Sequence, residues 1–162
     1  MNIAGNHLYH EVLHMLHIEK GTEEHTEPTI AAPVVLLGRI FFALIFLMAA
    51  PNHFTKQAIE YATSQGVPLA SVAVPLAGII AIAGGLSVLV GYHARLGGWL
   101  LVLFLLPVTV MMHAFWKVTD PAMAQIQMIM FMKNISMLGG ALLITQFGAG
   151  PLSFDAKRSH DH

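Results

Sequence analysis

Four uninterrupted apolar runs, at residues 33–50, 69–90, 96–115 and 123–147, constrain this 162-residue chain more than any other feature. Each is close to the ~20 residues that a helix needs to cross ~30 Å of hydrocarbon. Polar residues do not alternate through them as they would in a membrane-barrel strand, and inside hydrocarbon every peptide group must be satisfied within the structure. The runs therefore predict four membrane-spanning helices. With 56% of residues hydrophobic and 10% charged, the chain carries more apolar surface than a small soluble core can hide. The expected fold class is all-α: an integral membrane four-helix transmembrane bundle behind an N-terminal amphipathic or polar leader.

The organisation that follows is a His-rich leader at 1–32, a four-span membrane domain at 33–155 and a short tail at 156–162. The leader has no positively charged start and no small-residue cleavage site, so the first span is expected to act as its own insertion signal. One side of the membrane would hold Lys20, Arg39, Arg95, Lys157 and Arg158, and the other only Lys56 and Lys117, with Lys133 inside a span. Basic residues favour the cytoplasmic side, so both termini are expected in the cytoplasm. A formal net charge of −1 argues against nucleic acid as a partner. The absence of cysteine removes thiol relays, thiolate metal sites and cysteine-ligated iron–sulfur clusters. No dinucleotide fingerprint, P-loop or haem attachment motif is present either.

The connection at 51–68 has room for a helical extension at the outer interface. Asn52 can cap it, Phe54, Ile59 and Tyr61 give it an apolar side, and Gly66-Val67-Pro68 stops it. Ala77, Ala81 and Gly85 repeat every four residues in the second span, as do Ser136 and Gly140 in the fourth. Small residues at that spacing let helix backbones approach closely in lipid. Pro75 and Pro107 are expected to bend their spans without breaking them.

These residues also carry a resemblance. Arg39 then Phe46, Lys56, Gly66 with Pro68, Gly78 with Gly84-Gly85, Gly91 and Arg95 resemble the first half of the DoxX family. His113 with Trp116, Lys133-Asn134, Gly139-Gly140 and Gly148-Ala149-Gly150-Pro151 resemble its second half. The likeness covers about residues 33 to 155. It implies a small four-helix bacterial inner-membrane protein. Characterised relatives are membrane subunits associated with thiosulfate:quinone oxidation, or membrane partners of soluble enzymes that handle sulfur compounds and superoxide. Many relatives place a glutamate three residues before the Gly-Gly of the second span, where this chain has Ala81. Chemistry that needs that carboxylate is not expected here.

Polar residues inside the spans are the fullest chemical signal, because an ionisable group in hydrocarbon costs ~2.5–3.5 kcal/mol on insertion scales. They gather in the outer half: Asn52 and His53 end the first span, Thr109 and His113 the third, and Gln125, Gln127, Lys133 and Asn134 begin the fourth. Thr109 and His113 share one helix face, and Gln127 and Asn134 another. His53, Thr109, His113, Gln127, Lys133 and Asn134 are candidates to line one pocket for a quinone head group or a small anion. The competing reading is that they only hydrogen-bond the helices together. No Asp or Glu lies within the spans to neutralise Lys133. The chain is thus expected to be a membrane subunit or docking partner of redox enzymes, with no catalytic residue of its own. A small-solute or ion transporter, perhaps a homo-oligomer, is the alternative. A transporter needs polar residues through the inner half as well, and that half offers little beyond Arg39, Ser87, Ser136 and Thr145.

The leader contains His10-Glu11-Val12-Leu13-His14, the spacing with which two histidines grip Zn²⁺ beside a glutamate base. The third histidine of a metzincin would fall at Lys20, and the leader has no room for the lobes of a protease cleft. His7, His10, His14 and His17 form one stripe at helical spacing that suits weak metal binding, and Leu8, Val12 and Met15 form a neighbouring apolar stripe. An amphipathic helix lying on the membrane or on a partner accounts for the same pattern. Met128, Met130 and Met132 alternate by two, which spreads them around a helix and makes no metal site.

Two outcomes follow. With no native cysteine, Ser64→Cys should react with a membrane-impermeant thiol reagent added outside intact cells, while Ser159→Cys should react only after permeabilisation; inverse labelling would reverse the orientation. Purified protein should bind Zn²⁺ or Ni²⁺ weakly through the leader histidines and show no peptidase activity, so cleavage lost in Glu11→Gln would contradict this reading.

Overall fold

The computed structural model describes residues 31–160, and every regular element among them is helical. Helix α1 (Ala31–Ala49) runs into a 3-10 turn (Ala50–Phe54), followed by the short α2 (Lys56–Ser64), α3 (Ala70–Val90) and α4 (Ala94–Met112). A second 3-10 turn (Phe115–Lys117) leads to the long α5 (Pro121–Phe147), and α6 (Phe154–His160) closes the described chain. Four segments are long and apolar enough to cross a membrane: Ala32–Phe54, Ala70–Val90, Ala94–Lys117 and Pro121–Phe147. The chain is therefore an all-α membrane bundle of four spanning helices. The last segment has the lowest mean hydropathy, 1.5 against 2.0 to 2.3 for the others, because it carries Gln125, Gln127, Lys133 and Asn134. The leader, with its histidine stripe and its His-Glu-Val-Leu-His motif, lies outside the described residues.

Lipid as solvent explains why large apolar side chains such as Phe41, Leu103 and Leu143 are exposed on the outer faces. Burial of apolar surface cannot hold such helices together, so close packing has to. Glycine provides it along α4. A Cβ at Gly84 would lie 2.8 Å from the Leu101 side chain and 3.0 Å from the Gly97 carbonyl, and one at Gly97 would collide with Ser87. On the other side of α4, a Cβ at Gly98 would meet the Ala141 carbonyl and the Thr145 backbone of α5 at 3.1 and 3.2 Å. Helices α3, α4 and α5 thus pack backbone to backbone.

Helix α1 is seated differently, through aromatic and aliphatic side chains. The Phe42 ring fills the space that a side chain at Gly140 of α5 would take, and Leu47 and Phe46 do the same at Gly85 of α3. Phe46 reaches across to Phe104 of α4, ring centroids 6.2 Å apart. The order around the bundle is α1, α3, α4, α5. Of the small residues expected at interfaces, Ala81 and Gly85 are buried, whereas Ser136 faces outward. Gly97 and Gly98, which make the closest approaches, belong to no four-residue repeat.

The end of the bundle beside α6 is tied by two charged side chains. Arg39, buried on α1, donates to the carbonyls of Ala149 (3.0 Å) and Leu152 (2.8 Å). Asp155 accepts from the backbone N–H groups of His93 (2.8 Å) and Ala94 (2.9 Å), satisfying the start of α4 from outside it, while its own N–H donates to Gly91. Gly91 ends α3 with φ +71°, where a side chain would also strike Ser153 and Arg39. Both α4 and α5 begin two residues earlier than their apolar runs, at caps supplied by Asp155 and Asp120.

At the other end, Thr55 and not Asn52 caps α2. The 3-10 turn carries the chain through Asn52, and Thr55 is the residue that adopts the extended backbone of a cap, its hydroxyl accepting from Ala58 N–H at 3.2 Å. Helices α3 and α4 stay helical through Pro75 and Pro107.

Gly84→Val should lower the thermal midpoint of the detergent-solubilised protein, by the ~1–3 kcal/mol typical of overpacking. Gly139→Ala should not lower it, since nothing lies within 4 Å of a Cβ there.

Candidate functional site

The α2 end of the bundle contains a cavity of about 740 Å³, within the ~300–1,000 Å³ range of small-molecule sites. Its walls are mainly apolar. Phe46, Phe104 and Leu105 form its deep part, α2 covers it through Ala58 and Tyr61, and Met111 and Met137 flank its sides. The polar atoms come from four places: Asn52 and His53 in the 3-10 turn, Gln57 and Tyr61 on α2, His113 at the end of α4, and Lys133 with Asn134 on α5. The sequence-predicted cluster is thereby brought together in large part.

Each residue reaches the cavity for a local reason. His53 is held by the turn that ends α1, its Nδ1 3.3 Å from the Ala49 carbonyl and its ring 5.5 Å from that of Phe104. Gly78 of α3 makes room, because a Cβ there would lie 2.7 Å from the Cβ of His53. His113 terminates α4, and its Nδ1 is 2.8 Å from Oε1 of Gln127. Gln127 in turn donates from Nε2 to the Tyr61 hydroxyl at 3.3 Å. Asn134 is 3% exposed and makes no hydrogen bond to any described residue, so its amide is presented to the cavity. Lys133 is exposed at the cavity rim and forms no ion pair with any described residue.

Two predicted members fall outside the cavity. Thr109 is buried, and its hydroxyl donates back to Leu105 O at 2.6 Å, which is satisfaction within its own helix. Gln127 lines a second, smaller cavity of about 360 Å³ with Lys117, Thr119 and Asp120, and it acts on the larger one through His113. Gln125 faces outward. Tyr61 belongs to both cavities, as does Met112. Sequence reading took Tyr61 as part of an interfacial apolar stripe; only its hydroxyl, out of place on such a stripe, hinted at the second role. No group of three or more metal-ligating side chains occurs among the described residues.

Three other polar side chains of the spans are occupied elsewhere. Ser87 donates to the carbonyls of Tyr92 and His93, Thr145 to Leu142, and Arg39 to the chain after α5. They serve helix ends in the half away from the cavity.

A four-span helical bundle with one polar-tipped apolar cavity defines a class of small integral membrane protein. Residues 32–160 match the SURF4 family, and the chain belongs to it. It is 30% identical over 133 residues to inner membrane protein YphA of Escherichia coli (strain K12), covering 78% of this chain and 92% of that one. Inner membrane protein YqjF of the same organism is 29% identical over 123 residues, covering 75% of this chain and 88% of its own. No solved structure matches significantly. The chain is an integral inner-membrane protein.

Proposed function

We propose that this SURF4-family protein is DoxX-like and works as a membrane subunit or docking partner of a redox system, holding a lipid-soluble quinone in the cavity beneath α2. On this reading both termini are cytoplasmic and the cavity lies in the outer half of the membrane. The observation that carries it is the contrast between two sets of polar groups. Arg39, Ser87, Thr109 and Thr145 all have partners inside the protein. Asn134 and Lys133 have none among the described residues, and both line a cavity with apolar walls, where a ligand can reach them. Among the first set only Nε of Arg39 is buried without a partner, and the same guanidinium donates to two carbonyls. A cluster that only joined helices would aim its polar groups at protein partners, as the first set does.

The ligand chemistry follows from the lining. Phe46, Phe104 and the methionines suit a ring and an isoprenoid or acyl tail, while the Asn134 amide and the Lys133 ammonium can donate to a ring carbonyl oxygen. A transporter would require polar groups continuing to the opposite end, and those present there bind backbone at helix termini.

Lys133→Met and His113→Ala should each leave membrane insertion and expression intact, while weakening the binding of a short-tailed quinone analogue, offered to purified protein in its oxidised and its reduced form, by about ten-fold in at least one of the two forms, the worth of one lost hydrogen bond. Binding at wild-type strength in both variants would reduce the cluster to helix packing.

A further inference from the structure

The chain from Tyr61 through Gln127 to His113 determines more than which groups touch. Gln127 presents Oε1 to His113 and Nε2 to Tyr61, at 2.8 and 3.3 Å. An amide oxygen only accepts, so with the amide in this orientation Nδ1 of His113 carries the proton. The other ring nitrogen, Nε2, then has a lone pair. It makes no hydrogen bond to a described residue and is not sealed off by protein. Gln127 lines the smaller of the two cavities and His113 the larger; with Nδ1 bound to Gln127, Nε2 is the ring nitrogen free to meet a ligand. The amides of Asn52, Gln57 and Asn134 and the Tyr61 hydroxyl can each donate or accept as a ligand requires, whereas Lys133 only donates and Nε2 of His113, in this tautomer, only accepts.

We infer that the cavity selects the reduced, hydroxyl-bearing form of a quinone ring, a quinol, and that Gln127 sets this preference by fixing the tautomer of His113. The inference rests on the proposal that the cavity holds a quinone-type ring and adds which form it prefers. In a quinol, one hydroxyl donates to Nε2 and the oxygen across the ring accepts from Lys133 or Asn134. An oxidised ring has two carbonyl oxygens, both acceptors. One of them would face the lone pair on Nε2, leaving that buried contact unpaired. Gln127 is a positioning residue, for it does not line the cavity and acts through His113. In this orientation the Tyr61 hydroxyl accepts from Gln127 Nε2.

The experiment measures dissociation constants in lipid nanodiscs with full-length protein. The probes are a decyl-substituted 1,4-benzoquinol under oxygen-free reducing conditions, its oxidised quinone, and the dimethyl ether of the quinol, which keeps the shape and lacks the donors. The quinol should bind about ten-fold or more tightly than either. Gln127→Leu should bring the three affinities to within about three-fold of one another. Nitrogen-15 spectra of histidine-labelled protein, assigned against His113→Ala, should show Nδ1 protonated and Nε2 bare, and the Leu variant should lose that fixed tautomer. Equal affinity for quinol and quinone, a preference untouched in Gln127→Leu, or the opposite tautomer overturns this inference. If no probe binds, the fault lies earlier, in the proposal that the cavity holds a quinone ring.

Discussion

Helix α4 is approached backbone to backbone from both neighbours, with Gly97 meeting Gly84 of α3 and Gly98 meeting the α5 backbone around Ala141. Everything else in the membrane domain depends on this pairing. Lipid tails are as apolar as leucine, so only close van der Waals packing and local hydrogen bonds can fix helices relative to each other. Three helices are fixed that way. The fourth, α1, reaches them through the rings of Phe42 and Phe46 and so stands further off. A bundle with three tightly packed helices and one held at the length of a phenylalanine side chain leaves a wedge of space beside α1. Below the level of Phe46 the rings fill it. Above that level, toward α2, they do not, and the cavity begins there.

The two ends of the bundle solve opposite problems. At the α6 end, Arg39 and Asp155 use their charge on backbone groups: the guanidinium on the carbonyls of Ala149 and Leu152, the carboxylate on the N–H groups opening α4. Charged groups bound to helix ends make stronger hydrogen bonds than neutral ones, and the connections on this side are short and mutually locked. At the α2 end the connection is long and forms an amphipathic cover, with Lys56 and Glu60 paired on its exposed side at 3.4 Å. A surface pair of that kind contributes little. Rigidity is concentrated away from the cavity, and the cover over the cavity is held mainly by its own local bonds, such as the Thr55 cap and the contact from Tyr61 to Gln127.

Hydropathy made the fold legible, since four runs of spanning length leave an all-α bundle as the only way to satisfy the backbone in hydrocarbon. Element edges were less legible where their causes are not local. The start of α5 is marked by Asp120 in the sequence itself, but the start of α4 is capped by Asp155, more than sixty residues away, and no spacing rule reveals that. Asn52 failed as the α2 cap because the 3-10 turn carries the chain through it, and the helix opens only after Thr55. The polar cluster could be recognised from cost, as polar groups in hydrocarbon need a reason. Which of its members face a common space could not. Thr109 and His113 share a helix face, yet the first is satisfied by the carbonyl of Leu105 four residues back and only the second lines the cavity. Periodicity gives direction around a helix, but not whether a hydroxyl has already found a partner on its own turn.

Ala81 illustrates how the same packing limits what chemistry the middle of the membrane can support. It is 1% exposed and belongs to the core with Ala43, Phe46 and Leu101. A carboxylate at this position, as the DoxX resemblance would have it, would require space and a partner, and the surroundings here are closed and apolar. An ionised group there would lose far more in hydration than the neighbours could return. The polar groups of this chain instead lie on either side of that level: Arg39 and Asp155 bound to backbone toward α6, His113 and Asn134 facing the cavity toward α2. The apolar layer around Ala81, Phe46 and Leu101 separates them. The cavity therefore opens on one side of the layer only, and on the proposed reading that one-sidedness suits a binding subunit better than a through-pathway.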